Sequence, residues 1–286
     1  MPGFFLMMQR KEGFFAGVDG VELYYQAWQP DGPVKAVLLI AHGLGEHSGR
    51  YQNVVKALAP QGYAIYALDH RGYGRSPGQR GHINSWAEYR EDLHRFAQMA
   101  RAAAARRPLF LMGHSMGGCI VLDYAGHYPD GWQGVIASAP AVGKLNIPAP
   151  LALVSKLLSS IWPTLSVRSG LDVTAISRDT AVVAAYRNDP LVHDKGTPRL
   201  ATEFARVAGE TLARAGQFRP PLLLLHGDAD RLVNVQNTRD FYAAVPHENK
   251  KLIIYPGGYH ESHNDLHKEK MLADLAAWLE ERLNQG

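Results

Sequence analysis

Short, almost wholly apolar runs alternate along this chain with segments of helical periodicity, and that alternation restricts the fold more than any other feature. The runs fall at residues 34–41, 62–68, 108–112, 134–138, 221–227 and 251–255. A run of strand length without polar alternation reads as a strand buried on both faces. Such strands separated by helices build an α/β fold with a mostly parallel sheet covered on both sides, and ligands in such sheets gather at the strands' carboxyl ends. A hairpin over 12–29, turning at Asp19-Gly20, precedes the first of them. Helices are expected near 51–60, 86–106, 198–216, 235–244 and 268–283.

One junction carries chemistry. The run 108–112 leads into Gly113-His114-Ser115-Met116-Gly117, and apolar residues at helical spacing follow (Ile120, Val121, Tyr124). A serine on a sharp turn between strand and helix has its hydroxyl lifted clear of the sheet. Gly113 and Gly117 allow the two elements to approach and the turn to take a strained backbone. The first helical N–H groups, beginning with Met116, point at whatever the serine attacks and stabilise an oxyanion. Alone, the five-residue pattern is equally an ordinary turn. The flanking strand and helix favour a nucleophile.

Composition is that of a globular protein: 286 residues, 46% hydrophobic and 20% charged, with a net charge of +3. Without clustered Lys and Arg there is no nucleic-acid footprint. The single cysteine, Cys119, excludes an intrachain disulfide and reads as a small buried hydrophobe. The apolar stretch Phe4-Phe5-Leu6-Met7-Met8 is too short for a signal-peptide core, and no run approaches the ~18 apolar residues of a membrane span. A cytoplasmic protein is expected.

The alternation stops between about 143 and 218. This reads as a helical cap inserted into a core of residues 1–142 and 219–286. Within it Val154, Leu157, Leu158 and Ile161 share one helical face, with Ser155, Lys156, Ser159 and Ser160 opposite. Packing on the core should account for much of the apolar face. The remainder roofs an acyl pocket or meets a lipid surface.

A serine nucleophile needs a histidine to take its proton and a carboxylate to orient that histidine. Both follow late strands. Asp228 and Asp230 compete for the carboxylate; Asp230 is preferred, and Asp228 reads as a loop-backbone partner. His260 is preferred over His263 and His267 because it stands first after its strand and glycines. The loop 42–47 after the first buried strand is glycine-rich, a place for close backbone approach, although a plain loop fits it equally.

With these motifs the chain resembles the monoacylglycerol lipase and lysophospholipase branch of the α/β-hydrolases over nearly its whole length. The matching residues are His42-Gly43-Leu44-Gly45-Glu46-His47-Ser48-Gly49-Arg50-Tyr51, Asp69-His70-Arg71-Gly72-Tyr73-Gly74-Arg75-Ser76, Gly113-His114-Ser115-Met116-Gly117-Gly118, Asp189-Pro190-Leu191, Ala229-Asp230-Arg231-Leu232 and Gly258-Tyr259-His260. The resemblance implies a triad of Ser115, Asp230 and His260 and an oxyanion hole from the Leu44 and Met116 amides. It places Glu46, Arg50 and His263 around the pocket of the leaving alcohol, where Glu46 and Arg50, being oppositely charged, serve mainly to hold the loop. It implies ester hydrolysis, with a monoacylglycerol as substrate and no metal or organic cofactor. The rivals are a broad carboxylesterase or lysophospholipase, an aminopeptidase holding an ammonium on Glu203 or Glu210, and a silent binding protein. A haloalkane dehalogenase would have Asp where Ser115 stands. Partners are a lipid ester and, through the cap, a transient membrane or micelle surface; no nucleic acid is expected.

Overall fold

A computed structural model describes residues 8–145 and 149–285. The apolar stretch at residues 4–7 lies outside them. The chain opens with β1 (Gln9–Ala16) and β2 (Glu22–Gln29), paired antiparallel. The turn between them puts Asp19 and Gly20 at positive φ, 57° and 72°, as a tight hairpin demands. Then follow β3 (Ala36–Ala41), α1 (Gln52–Leu58), β4 (Tyr63–Leu68), α2 (Ala87–Ala103), β5 (Leu109–His114), α3 (Met116–His127) and β6 (Gly134–Ser138). Between β6 and the next sheet strand lie α4 (Ala149–Ile161), β7 (Val167–Arg168), α5 (Thr180–Asn188), β8 (Lys195–Gly196) and α6 (Pro198–Ala213). The chain closes with β9 (Leu222–Gly227), α7 (Val235–Ala244), β10 (Lys250–Tyr255) and α8 (Lys268–Asn284).

Eight strands form one sheet in the order β1-β2-β4-β3-β5-β6-β9-β10. From β4 to β10 every neighbouring pair is parallel, and only β2, antiparallel to both β1 and β4, runs against the rest. Alternate residues of β5 explain why its run had to be apolar throughout. Leu109 and Leu111 enter a core with Phe96 of α2 and Ile120 of α3. Phe110 and Met112 enter a second core on the other face, with Val54 of α1 and Leu275 and Trp278 of α8. The strands β3, β5, β6 and β9 end side by side, so the loops after them converge at one edge.

The segment between β6 and β9 departs from expectation in three ways. It contains a helix, α5, that the apolar spacing alone did not announce; Asp179 caps it by accepting the Ala181 amide. It contains a two-residue ladder, Val167–Arg168 against Lys195–Gly196. The third departure is that the apolar face of α4 does not pack on the core. Val154, Leu157 and Ile161 are 49%, 60% and 71% exposed, whereas Ser159, from the polar side, is buried. The helix is seated on α6 through polar contacts: Ser159 Oγ and Thr202 Oγ1 lie 2.9 Å apart, and Arg199 donates to the Ser159 carbonyl at 2.9 Å. Its leucines are left to a cavity and to solvent. No helix of the described residues is long and apolar enough to cross a membrane.

Candidate active site

Ser115 caps the N-terminus of α3 at φ 55°, ψ −118°, a conformation costly for a residue with a Cβ and held only where its surroundings over-determine it. Three backbone bonds hold it. The Ser115 amide donates to Ser138 O (3.0 Å), and its carbonyl accepts from Cys119 N (3.1 Å) and Ala141 N (3.0 Å). The strain therefore sits on the serine and not on its glycines, neither of which has a positive φ. The glycines provide close approach. A Cβ on Gly113 would stand 2.2 Å from Gly117 O, and one on Gly117 would stand 2.2 Å from Ala41 O.

The loop after β3 is built from its side chains inward. The His70 amide donates to His42 Nε2 (2.9 Å). The ring proton is thereby placed on Nδ1, which donates to Gly43 O (2.8 Å). Burial keeps His42 neutral by lowering its pKa. Glu46 Oε1 takes the Gly43 amide (2.7 Å) and the Tyr51 hydroxyl (2.9 Å). Asp69 ties the neighbouring loops by accepting the Ser48 and Arg75 amides, each at 2.8 Å. Gly43 reaches Ser115 so closely that a Cβ there would lie 3.2 Å from the serine Cβ. Of the amides facing this point, Gly43 N–H is already engaged. The Leu44 and Met116 amides donate to no described residue, which leaves them free to hold an oxyanion.

His260, on the loop after β10, points Nδ1 at Asp230 Oδ2 across 2.7 Å. Asp230 follows β9, and every contact holds it as a carboxylate. Oδ1 accepts the Leu232 and Val233 amides (2.7 and 3.0 Å), and Oδ2 also accepts His226 Nε2 (3.0 Å). Burial raises its pKa, but His260 and these donors outweigh burial and hold it far below the ordinary carboxylate value. Burial likewise disfavours a charged His260, yet the Asp230 carboxylate raises that ring above an ordinary histidine. His260 Nε2 is then the nitrogen left for proton transfer. Asp228 stays exposed and accepts the Gly257 amide at 2.6 Å.

Ser115 and His260 line one cavity of about 490 Å³. Its walls are mostly apolar, with Leu145, Leu151, Val154, Leu158, Leu200 and Phe204 on the side of α4 and α6. Leu44 also lines it. Of the remaining sequence-derived residues, Glu46 lines the cavity, and Arg50 is buried behind it between Glu46 and Glu261. His263 is fully buried, does not line the cavity, and stacks on Tyr51 with ring centroids 4.9 Å apart and planes 9° apart. His267 is held by Arg178 at 2.9 Å. Glu203 accepts from the Trp86 amide and pairs with Arg206, and Glu210 also pairs with Arg206; neither lines the cavity. Sequence reasoning passed over His226, Tyr186 and Glu261. Glu261 was within reach, as the neighbour of His260, whereas no local pattern marks Tyr186.

Residues 32–267 match the protein family described as serine aminopeptidase, S33. The chain is 39% identical to a monoacylglycerol lipase of Mycolicibacterium smegmatis over 94% of its own length and 97% of that protein. It is 30% identical to the monoglyceride lipase of Homo sapiens, covering 92% and 88%. The crystal structure of a Paleococcus ferrophilus monoacylglycerol lipase superposes with a TM-score of 0.81 at 31% identity, covering 97% of this chain and all of that one.

Proposed function

We propose an ester hydrolase acting on monoacylglycerols, from the premise that this chain belongs to the serine aminopeptidase S33 family of α/β-hydrolases and to its monoacylglycerol lipase branch. The observation that carries the reading is the strained Ser115 sharing an apolar cavity with a His260–Asp230 pair. In this reading His260 Nε2 takes the Ser115 proton as Oγ attacks the ester carbonyl. The oxyanion forms at the Leu44 and Met116 amides, and Asp230 stabilises the imidazolium. The imidazolium then protonates the leaving glycerol oxygen. Water, activated by the same ring, releases the fatty acid.

Residues 143–218 act as the cap over an acyl pocket, and 1–142 with 219–286 as the core. The exposed Leu153, Leu157, Ile161 and Trp162 supply an apolar surface for transient contact with a membrane or micelle. The proposed compartment is the cytoplasm. An aminopeptidase would need a free carboxylate facing the substrate ammonium. The carboxylates lining the cavity are Glu46 and Glu261, and both are paired with Arg50. A lysophospholipid is the second reading, favoured by Lys144 and Arg168 at the cavity wall.

The deciding experiment is steady-state hydrolysis of 1-monoacylglycerols of graded chain length, beside diacylglycerol, lysophosphatidylcholine and p-nitrophenyl butyrate. Preference for monoacylglycerol, abolished in Ser115→Ala with folding retained, is the expected result. Near-wild-type activity in Ser115→Ala overturns the nucleophile, and a preference for the lysophospholipid overturns the substrate.

A further inference from the structure

We propose that Glu261 is a positioning residue for His260: through Arg50 it locks the loop that carries the histidine to the loop that carries the oxyanion amides. The inference rests on His260 being the base. Glu261 is only 2% exposed, at the cavity wall beside His260. Arg50 grips it with two parallel bonds, NH1 to Oε1 at 2.5 Å and NH2 to Oε2 at 2.7 Å. The same NH1 donates to Glu46 Oε2 at 2.9 Å, and the other oxygen of Glu46 holds the Gly43 amide. A continuous chain of charge-assisted bonds thus runs from the oxyanion loop through Glu46 and Arg50 to Glu261, the residue that follows His260 in the chain.

Glu261 has little left to offer a substrate. Its Oε2 also accepts from Asn264 (2.9 Å), and its amide donates to Ile176 O in the cap segment (2.8 Å). Asn53, one turn beyond Arg50, donates to His263 O (3.1 Å) and Asn264 Oδ1 (2.9 Å). The histidine loop is therefore pinned twice, by Arg50 just before α1 and by Asn53 in its first turn. The Arg50 guanidinium lies over the Tyr186 ring at 4.5 Å, which closes its remaining face. Two parallel bonds from a planar guanidinium fix orientation as well as distance.

The cluster also has a charge consequence. His260 is faced by Asp230 at Nδ1, by Glu46 and Glu261, by the Arg50 guanidinium, and by the His114 and His263 rings, which burial keeps neutral. Burial works against the Glu261 carboxylate, and Arg50 overcomes it, so Glu261 lies below the ordinary glutamate value and is ionised at neutral pH. Two carboxylates against one guanidinium leave one negative charge in the Glu46–Arg50–Glu261 cluster. That charge favours the imidazolium formed as Ser115 attacks.

Glu261→Gln keeps the shape and removes the charge. Its kcat, KM and the pH dependence of kcat/KM should be measured with p-nitrophenyl butyrate and with a 1-monoacylglycerol. Expected are a kcat lower by about tenfold with both substrates, little change in KM, and an acidic limb displaced to lower pH by about half a unit. In Glu261→Asp the charge survives while the grip of Arg50 is lost, so the limb should stay at its wild-type pH while kcat falls. An unmoved limb in Glu261→Gln, a wild-type kcat in Glu261→Asp, or a KM increase confined to the monoacylglycerol each overturns the role. Fluorophosphonate labelling of Ser115 in wild type and His260→Ala runs alongside. Labelling that does not need His260 overturns the triad itself. A normal requirement for His260 with an unmoved Glu261→Gln limb overturns only the positioning role.

Discussion

Replacing Gly117 by alanine tests the geometry of the nucleophile turn. The added Cβ would stand 2.2 Å from Ala41 O, 2.4 Å from His42 O and 2.7 Å from Ala41 C. All three are backbone atoms at the end of β3, a strand buried along its whole length, so no side chain can swing away. Restoring van der Waals distance requires α3 and the end of β3 to part by roughly 1 Å, since carbon contacts settle near 3.5 Å. Overpacking of this kind costs about 1–3 kcal/mol. At the upper figure, and at about 2 °C per kcal/mol for a chain of this size, the melting temperature should fall by about 6 °C. Activity should suffer separately, because α3 carries Ser115 and the Met116 amide while β3 leads into Leu44. Parting them spreads the proposed oxyanion donors, and a misplacement of about 1 Å costs on the order of a hundredfold in kcat. Gly126 lies on the same helix, exposed, with nothing within 4 Å of a built Cβ. Gly126→Ala should therefore stabilise by about 0.4–1 kcal/mol with kcat unchanged. Thermal unfolding by circular dichroism and p-nitrophenyl butyrate turnover read both effects. Wild-type melting and turnover in Gly117→Ala would show that α3 and the end of β3 are not in close contact there.

Burial holds His42, His70, His114 and His263 below the ordinary histidine pKa. The unfolded chain binds protons at these sites that the folded chain refuses, so stability should fall as pH drops below about 6.5, by up to roughly 1.4 kcal/mol per pH unit for each ring. His263→Phe keeps the stack on Tyr51 and should flatten that slope by one such increment; denaturant titrations from pH 5 to 7 with an unchanged slope would contradict it. His260 has the opposite sign. Its raised pKa contributes stability that is full below about 6.5 and is lost as pH rises through the folded value. The stability of wild type relative to His260→Gln should accordingly shrink over that rise. Leu158→Phe narrows the apolar wall under α4 and should shift the preferred acyl chain shorter, each excluded methylene costing about 0.8 kcal/mol, or roughly fourfold in kcat/KM. An unchanged chain-length profile would show that the acyl chain lies elsewhere.

Local sequence determined the sheet and the sharp turn at Ser115 because both are written in short-range patterns. An apolar run such as residues 108–112 has to be buried on both faces, and β5 is. Gly113 and Gly117 mark where backbones touch, and they do. What the sequence left open follows the same logic in reverse. Spacing shows that α4 has an apolar face, but not that Ser159 would dock against Thr202 and leave that face outward. The strain expected of the glycines was carried by Ser115, whose φ depends on bonds to Ser138 and Ala141 in the next strand's loop. His263 became a buried stacking ring and not a cavity wall, because Tyr51 was there to receive it. The bond that joins the two halves of the site links Arg50 and Glu261 across 211 positions. Helix and strand periodicities reach only a few residues along the chain. A pairing at that separation exists only once the sheet has brought the ends of its strands together.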